Sequence, residues 1–208
     1  MTDVLIEAGR APLSARGERT RTKLVTAART VFEERGFDGA RMGDVAEAAG
    51  VSHGTVYTWF DTKEDLLRAV IDSVTADLYA SLSVPDATSP IERIAIANER
   101  YLAAYRSTAR LLEVVEQAAV VDESFRAVLA NLRTTHVERV AKTIRRWQRE
   151  GAAQTDLDAQ VSAAALCAMV EGFARHWLGR GEEHDEATAM RTLTELWARG
   201  LGLARGGI

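Results

Sequence analysis

MGDVAEAAGVSHGTVYTWF, residues 42–60, carries the spacing of two short helices joined at a glycine. Two helices that cross steeply need a small residue where they touch, a glycine in the turn and apolar side chains to hold the pair. Val45, Ala46 and Ala49 supply the inner face of the first helix, and Gly50 can take a positive φ at the turn. Val51 and Val56 anchor the second. Ser52 is placed to cap it, which leaves its first backbone N–H groups facing outward as an anion site. A helix-turn-helix of this kind lays its second helix in the DNA major groove. Ser52, His53 and Thr55 then reach phosphates or base edges, and Gly54 lets the backbone come close. Tyr57 and Trp59 offer donors to flanking phosphates, and Lys63 adds a cation at the start of the next helix. On spacing alone, a plain helical hairpin inside a bundle is the alternative.

Helical periodicity continues on both sides of this stretch. Upstream, Leu24, Ala27, Ala28, Val31 and Phe32 predict a helix over 18–35, with Gly36 in the left-handed position after it and Phe37 packing back. Downstream, Asp61 or Thr62 caps a helix that runs toward Leu82. Residues 83–89, around Pro85, read as a turn. Ser89-Pro90-Ile91-Glu92 combines a capping serine, proline at the first helical position and glutamate three residues after the cap. From there the pattern predicts a helix to about 107, a shorter one to about 120, and a long one from 122 to Gly151. The long helix has Phe125, Leu129, Leu132, His136, Val140, Thr143 and Trp147 on one stripe. Two more helices are predicted over 158–178 and 185–201, before a glycine-rich tail. The expected fold class is all-α.

Composition narrows the function. The 208 residues are 47% hydrophobic and 27% charged, which suits one globular unit or a small module joined to a larger one. The apolar runs are short and broken by charge, so no membrane span is expected. The N-terminal residues show neither the basic start nor the apolar block of a secretory signal. One cysteine, Cys167, gives no internal disulfide and no zinc set, which fits a cytoplasmic protein. The net charge of −4 hides a basic cluster, Arg10, Arg16, Arg19, Arg21 and Lys23, opposed only by Glu18. An acidic protein can still carry such a local footprint for nucleic acid.

Residues 19–70 resemble the DNA-binding domain of the TetR family of transcriptional regulators. The resemblance rests on ARTVFEERGF (28–37), DVAEAAGVS (44–52), GTVY (54–57) and FDTKEDLL (60–67). It covers about a quarter of the chain, with several fixed spacings agreeing together. It implies a three-helix DNA-binding head on a larger helical body that binds a small molecule and dimerises. The implied organisation is a flexible basic arm over 1–17, the helix-turn-helix domain over 18–65, and the ligand-binding and dimerisation domain over 66–208. Carried onto this sequence, Thr55 falls where the family meets bases, and Tyr57, Trp59 and Lys63 where it grips phosphate. Arg16 and Arg19 would add contacts along the duplex. Two positions depart from the family pattern. Ala40-Arg41 replaces the hydroxyl residue before the first helix of the motif, leaving Arg41 to meet phosphate directly. His53 stands where the family often has lysine.

Catalytic chemistry finds no support in the pattern. The four histidines lie apart without metal-ligand spacing, and neither a phosphate-binding glycine loop nor a nucleophile elbow is present. No metal and no cofactor is expected, and Cys167 reads as an inert core thiol. An effector site is expected among apolar walls with a few polar groups. Its candidates are Tyr101, Tyr105, Phe125, Leu129, Leu132, His136, Met169, Phe173 and His176. Core and dimer packing is the competing role for each of them. The expectation is thus a cytoplasmic, homodimeric, sequence-specific regulator, with a double-stranded DNA operator and a small-molecule effector as partners. Repression relieved by the effector is the leading form. The alternatives are a ligand-responsive activator, a helical small-molecule enzyme and a protein-interaction bundle.

Overall fold

The computed structural model describes residues 14–81 and 89–203. Its elements are α1 (Ala15–Gly39), α2 (Met42–Ala48), α3 (His53–Trp59), α4 (Lys63–Ser81), α5 (Pro90–Val121), α6 (Glu123–Arg149), α7 (Ala159–Ala174), a π-helical turn (Arg175–Gly179) and α8 (Glu186–Gly200). No strand occurs among the described residues, so the chain is all-helical there. It forms two compact units that divide between Ser73 and Val74. Most of the expected N-terminal arm, the turn at 83–88 and the end of the glycine-rich tail lie outside the described residues.

In the first unit, α1 begins at Ala15, three residues before the expected start at 18. Ser14 sets that start, its hydroxyl accepting from the Gly17 N–H at 3.2 Å. Gly36 has the positive φ that its place in the sequence predicts, 69, but its ψ of 176 lies in the extended glycine-only region and not in the left-handed helical one, and there it bends the chain. Phe37 then turns back, buried, to stack on Phe32 with ring centroids 6.4 Å apart. Between α2 and α3, Gly50 takes φ 59, and the Val51 N–H reaches the Ala46 carbonyl at 3.0 Å. Thr62, not Asp61, caps α4, accepting from the Asp65 N–H at 3.1 Å. Leu24 and Ala28 of α1, Val56 of α3 and Leu66, Leu67 and Val70 of α4 are wholly buried, and Val45 and Ala46 of α2 are nearly so. Each larger side chain among them contributes roughly 1.5–3 kcal/mol by leaving water.

The second unit opens on the predicted capping box. The Ser89 N–H donates to Glu92 at 3.0 Å, and the Glu92 N–H returns to the Ser89 hydroxyl at 3.4 Å. The two helices expected over 90–120 are one helix, α5. At the expected break, Ser107 and Thr108 both donate their hydroxyls to the Ala104 carbonyl, at 2.9 and 2.8 Å. Back-bonding of this kind satisfies a hydroxyl inside a helix, and no glycine or proline interrupts the run. Asp122 closes α5 and opens α6 at once: its N–H donates to Ala118 and its carboxylate accepts from the Ser124 N–H. The buried face of α6 is Phe125, Val137, Ala141, Ile144 and Trp147, so Leu132, His136, Val140 and Thr143 fall beside it, half-buried. The helix expected to reach 178 keeps α-geometry to Ala174 and then widens into the π-turn. Ile94, Leu102, Ile144, Trp147, Ala163, Val170, Trp177 and Leu193 pack into the core of this unit. Cys167 is buried among them, its thiol pushed up to about 12 by desolvation, which keeps it protonated and inert. Among the described residues no helix is long and apolar enough to cross a membrane.

Candidate functional site

The first unit presents α3 with its N-terminal end open. The Ser52 hydroxyl accepts from the Thr55 N–H at 3.2 Å, and the two hydroxyls share a 2.8 Å hydrogen bond. A hydroxyl offers one donor and two acceptor positions, so Thr55 keeps capacity for a further partner. Ser52, His53, Gly54 and Tyr57 are exposed, and Thr55 is half-buried. His53 does not swing free. Its ring meets Tyr57 edge-on at 5.4 Å, and its Nε2 would lie 3.2 Å from a Cβ placed on Gly43. Gly43 therefore gives the imidazole room against the start of α2.

Around α3 the other candidates hold structural posts as well. The Trp59 ring would come within 3.2 Å of a Cβ on Gly17, so the first turn of α1 lies against the end of α3. That turn carries Arg16, and Arg19 follows it, both exposed. Lys63 donates to the Phe37 carbonyl at 3.0 Å and sits 4.2 Å over the Phe37 ring, tying the start of α4 to the end of α1. An ammonium has three donors, so this tie engages one of them. Arg41 is exposed before α2, and Asp44 answers the missing capping hydroxyl by accepting from the Arg41 N–H at 3.1 Å. Asp44 also pairs with Arg35 at 2.7 Å, joining α1 to α2.

The second unit holds a cavity of about 380 Å³ between α5, α6, α7 and α8. Of the nine effector candidates, Tyr101 and His136 line it, their rings stacked at 5.8 Å. Tyr105, Phe125, Leu129, Leu132, Met169, Phe173 and His176 do not. Phe125 is a fully buried core residue instead. Phe173 packs on Trp177 and His184, and exposed His176 lies 3.1 Å from Glu182. The lining the sequence reading missed includes Arg93, Asn98, Arg139, Lys142 and Trp197. One signal for it was legible: Asn98 interrupts the buried stripe Ile94, Asn98, Leu102, Tyr105 of α5. An amide in such a stripe needs a partner.

Desolvation raises the Tyr101 phenol far above its usual range, with the Glu171 carboxylate adding to it. Burial lowers the His136 imidazole, aided by the Arg139 and Arg133 cations and opposed by Glu171. Both side chains are thus neutral hydrogen-bonding groups at neutral pH. Glu171 itself is engaged by Arg133 and by Arg175, the latter at 3.6 Å.

A helix-turn-helix unit followed by a helical unit with a ligand-sized cavity defines a DNA-binding regulator. The model of bacterial regulatory proteins of the tetR family matches residues 24–70, and that of the BetI-type transcriptional repressor C-terminal domain matches 92–202. The chain belongs to the TetR family of transcriptional regulators, DNA-binding proteins and not enzymes. It is 28% identical over 176 residues to the HTH-type transcriptional regulator TtgR of Pseudomonas putida, covering 77% of this chain and 81% of that one. With the HTH-type transcriptional repressor KstR2 of Rhodococcus jostii it shares 25% over 147 residues, 68% and 72% of the two chains. A solved Saccharomonospora viridis protein in complex with choline has the same fold, with a TM-score of 0.74 at 21% identity over 88% of this chain and 96% of that one.

Proposed function

We propose that the protein is a cytoplasmic, homodimeric repressor that a small molecule releases from a near-palindromic operator. Residues 18–65 read DNA in this proposal, and residues 66–208 bind the effector and dimerise. The observation that carries it is α3, a capped helix with exposed Ser52, His53 and Tyr57 beside the basic first turns of α1. Two such helices enter successive major grooves of one operator. Ser52, Gly54, Tyr57, Trp59, Arg16, Arg19, Arg41 and Lys63 face phosphates, while His53 and Thr55 meet base edges. Supporting repression, KstR2 is named a repressor and the C-terminal match is to a repressor type. Effector binding works as a population shift, the ligand favouring a dimer spacing that no longer fits the half-sites. Release then requires about 10²-fold tighter binding of effector to the free form than to the DNA-bound form.

Retention of fragmented genomic DNA by the purified protein, followed by sequencing, tests the reading. Enrichment of a few promoters sharing an inverted repeat is the expected result, and even retention across the genome would refute it. On the operator so defined, Arg16→Ala and Arg19→Ala are expected to weaken binding on every sequence and to flatten its salt dependence. Thr55→Ala is expected to change which operator variant is preferred.

A further inference from the structure

Gly36 and Gly50 are glycines because their backbone turns to positive φ, but Gly43 has no such need. It lies in the first turn of α2, a helix of only 7 residues. Glycine is the poorest helix former after proline, so its place there calls for a reason outside the backbone. The surroundings supply one. A Cβ placed on Gly43 would meet the His53 ring, with Nε2 at 3.2 Å and Cδ2 at 3.7 Å. Beyond its own chain neighbours it would meet no other side chain within 4 Å. The shorter contact is closer than ordinary van der Waals packing, so a methyl group at this position displaces the ring. His53 is exposed, and it yields by turning about its side-chain bonds while α2 stays in place.

The same ring meets Tyr57, one turn further along α3, edge-on with centroids 5.4 Å apart and planes at 90°. An edge set against a face is a favoured arrangement of two aromatic rings. His53 makes no hydrogen bond and no ion pair among the described residues, so packing alone sets its direction. An exposed side chain on the first residue of a helix has several rotamers open to it. The gap at Gly43 favours the one that lies against α2 and beside Tyr57. Direction matters for a group that reads a base, because a hydrogen bond weakens steeply as its angle departs from the line.

We propose that Gly43 is a specificity-determining positioning residue of the DNA-reading helix. By carrying no side chain it seats the His53 imidazole against α2, and so fixes the direction from which His53 meets a base pair. Gly43 acts through His53 and needs no contact with DNA of its own. The proposal rests on the operator-binding reading above and names a residue that tunes its sequence preference.

Affinities of wild type, Gly43→Ala, His53→Ala and the double variant test it, each measured on the operator and on its single-base-pair variants. Gly43→Ala is expected to change preference about fivefold or more at the base pairs where His53→Ala does, and to add nothing in the His53→Ala background. A glycine with only a structural role would act evenly on every duplex, with or without His53. Alanine is the better helix former, so Gly43→Ala is expected to keep the helical circular dichroism of wild type. A second measurement needs no variant: in the free protein, a nuclear Overhauser contact is expected between the His53 ring and the Gly43 α-protons. Absence of that contact, unchanged preference in either single variant, an even change across duplexes, or the same change in both backgrounds overturns the proposal. Failure of the two readings is separable. Even retention of genomic DNA by wild type refutes the regulator reading and this proposal with it. A selective wild type whose preference survives Gly43→Ala refutes the role of Gly43 alone.

Discussion

His136 is held neutral by burial first and by Arg139 and Arg133 second, with Glu171 pulling the other way and Tyr101 stacked on its ring. Its imidazole pKa in the folded chain is therefore below the ordinary value near 6.5. Between the lowered value and the ordinary one, the unfolded chain binds more protons than the folded chain, so stability falls as pH drops through that window. His136→Phe keeps a ring against Tyr101 and removes the titration. Its melting temperature is expected to fall less than that of wild type between about pH 7 and pH 5, and parallel curves would rule this out. Lys63 poses a different residue-scale question, because it ties α4 to Phe37 and is also proposed to meet phosphate. Lys63→Met is expected to lose about 1 kcal/mol of stability and to lower the salt slope of DNA binding by about 1. A lysine with only the structural role would shift the melting curve and leave the salt slope unchanged.

Among the elements, α1 depends most visibly on a single backbone conformation. Gly36 at φ 69 lets the chain bend so that Phe37 stacks on Phe32 and offers its carbonyl to Lys63. Gly36→Ala is expected to cost about 1–3 kcal/mol, read as a lower urea midpoint at unchanged slope. This glycine and the turn glycine Gly50 were legible in the sequence, because an apolar helical stripe followed by glycine has few other uses. The caps at Ser52 and Ser89 were legible for the same local reason, each side chain closing on an N–H three residues ahead, and Asp158 and Asp185, read as helix starts, close in the same way. What escaped was non-local or ambiguous. The Ser107-Thr108 pair fits a helix end and a back-bonded helix interior equally well, and only packing along α5 decides between them. The cavity lining draws on α5 through α8, and periodicity within one helix does not reveal which residues of another it meets. The burial of Trp197 was foreseeable from its place on the apolar stripe of α8, whereas the missing partner of its N–H was not.

At the scale of the whole molecule, the proposed homodimer must bury apolar surface that one copy leaves open. On α7, Val161, Ala165 and Ala168 recur at i, i+4 and i+7 and are all exposed. Val161 is 67% exposed, and Leu196 on α8 is 48% exposed. Small residues at helical spacing let a second helix approach closely, and the exposed valine and leucine gain most by being covered. A glutamate in the middle of such a face would have to be desolvated without a partner, which is strongly unfavourable. Ala165→Glu and Leu196→Glu are therefore expected to sediment as monomers under conditions where wild type is a dimer. Either substitution lies on an exposed face, so each monomer is expected to keep its helical circular dichroism. Their operator affinity, measured against competitor DNA, is expected to fall by about 10³-fold or more, since one recognition helix holds a half-site little better than random duplex. Restoring the two copies by a tethered single chain that carries Leu196→Glu is expected to recover much of that affinity through effective concentration alone. A monomer that bound the full operator as tightly as wild type would show instead that each copy reads DNA independently, and the operator would then need no inverted repeat.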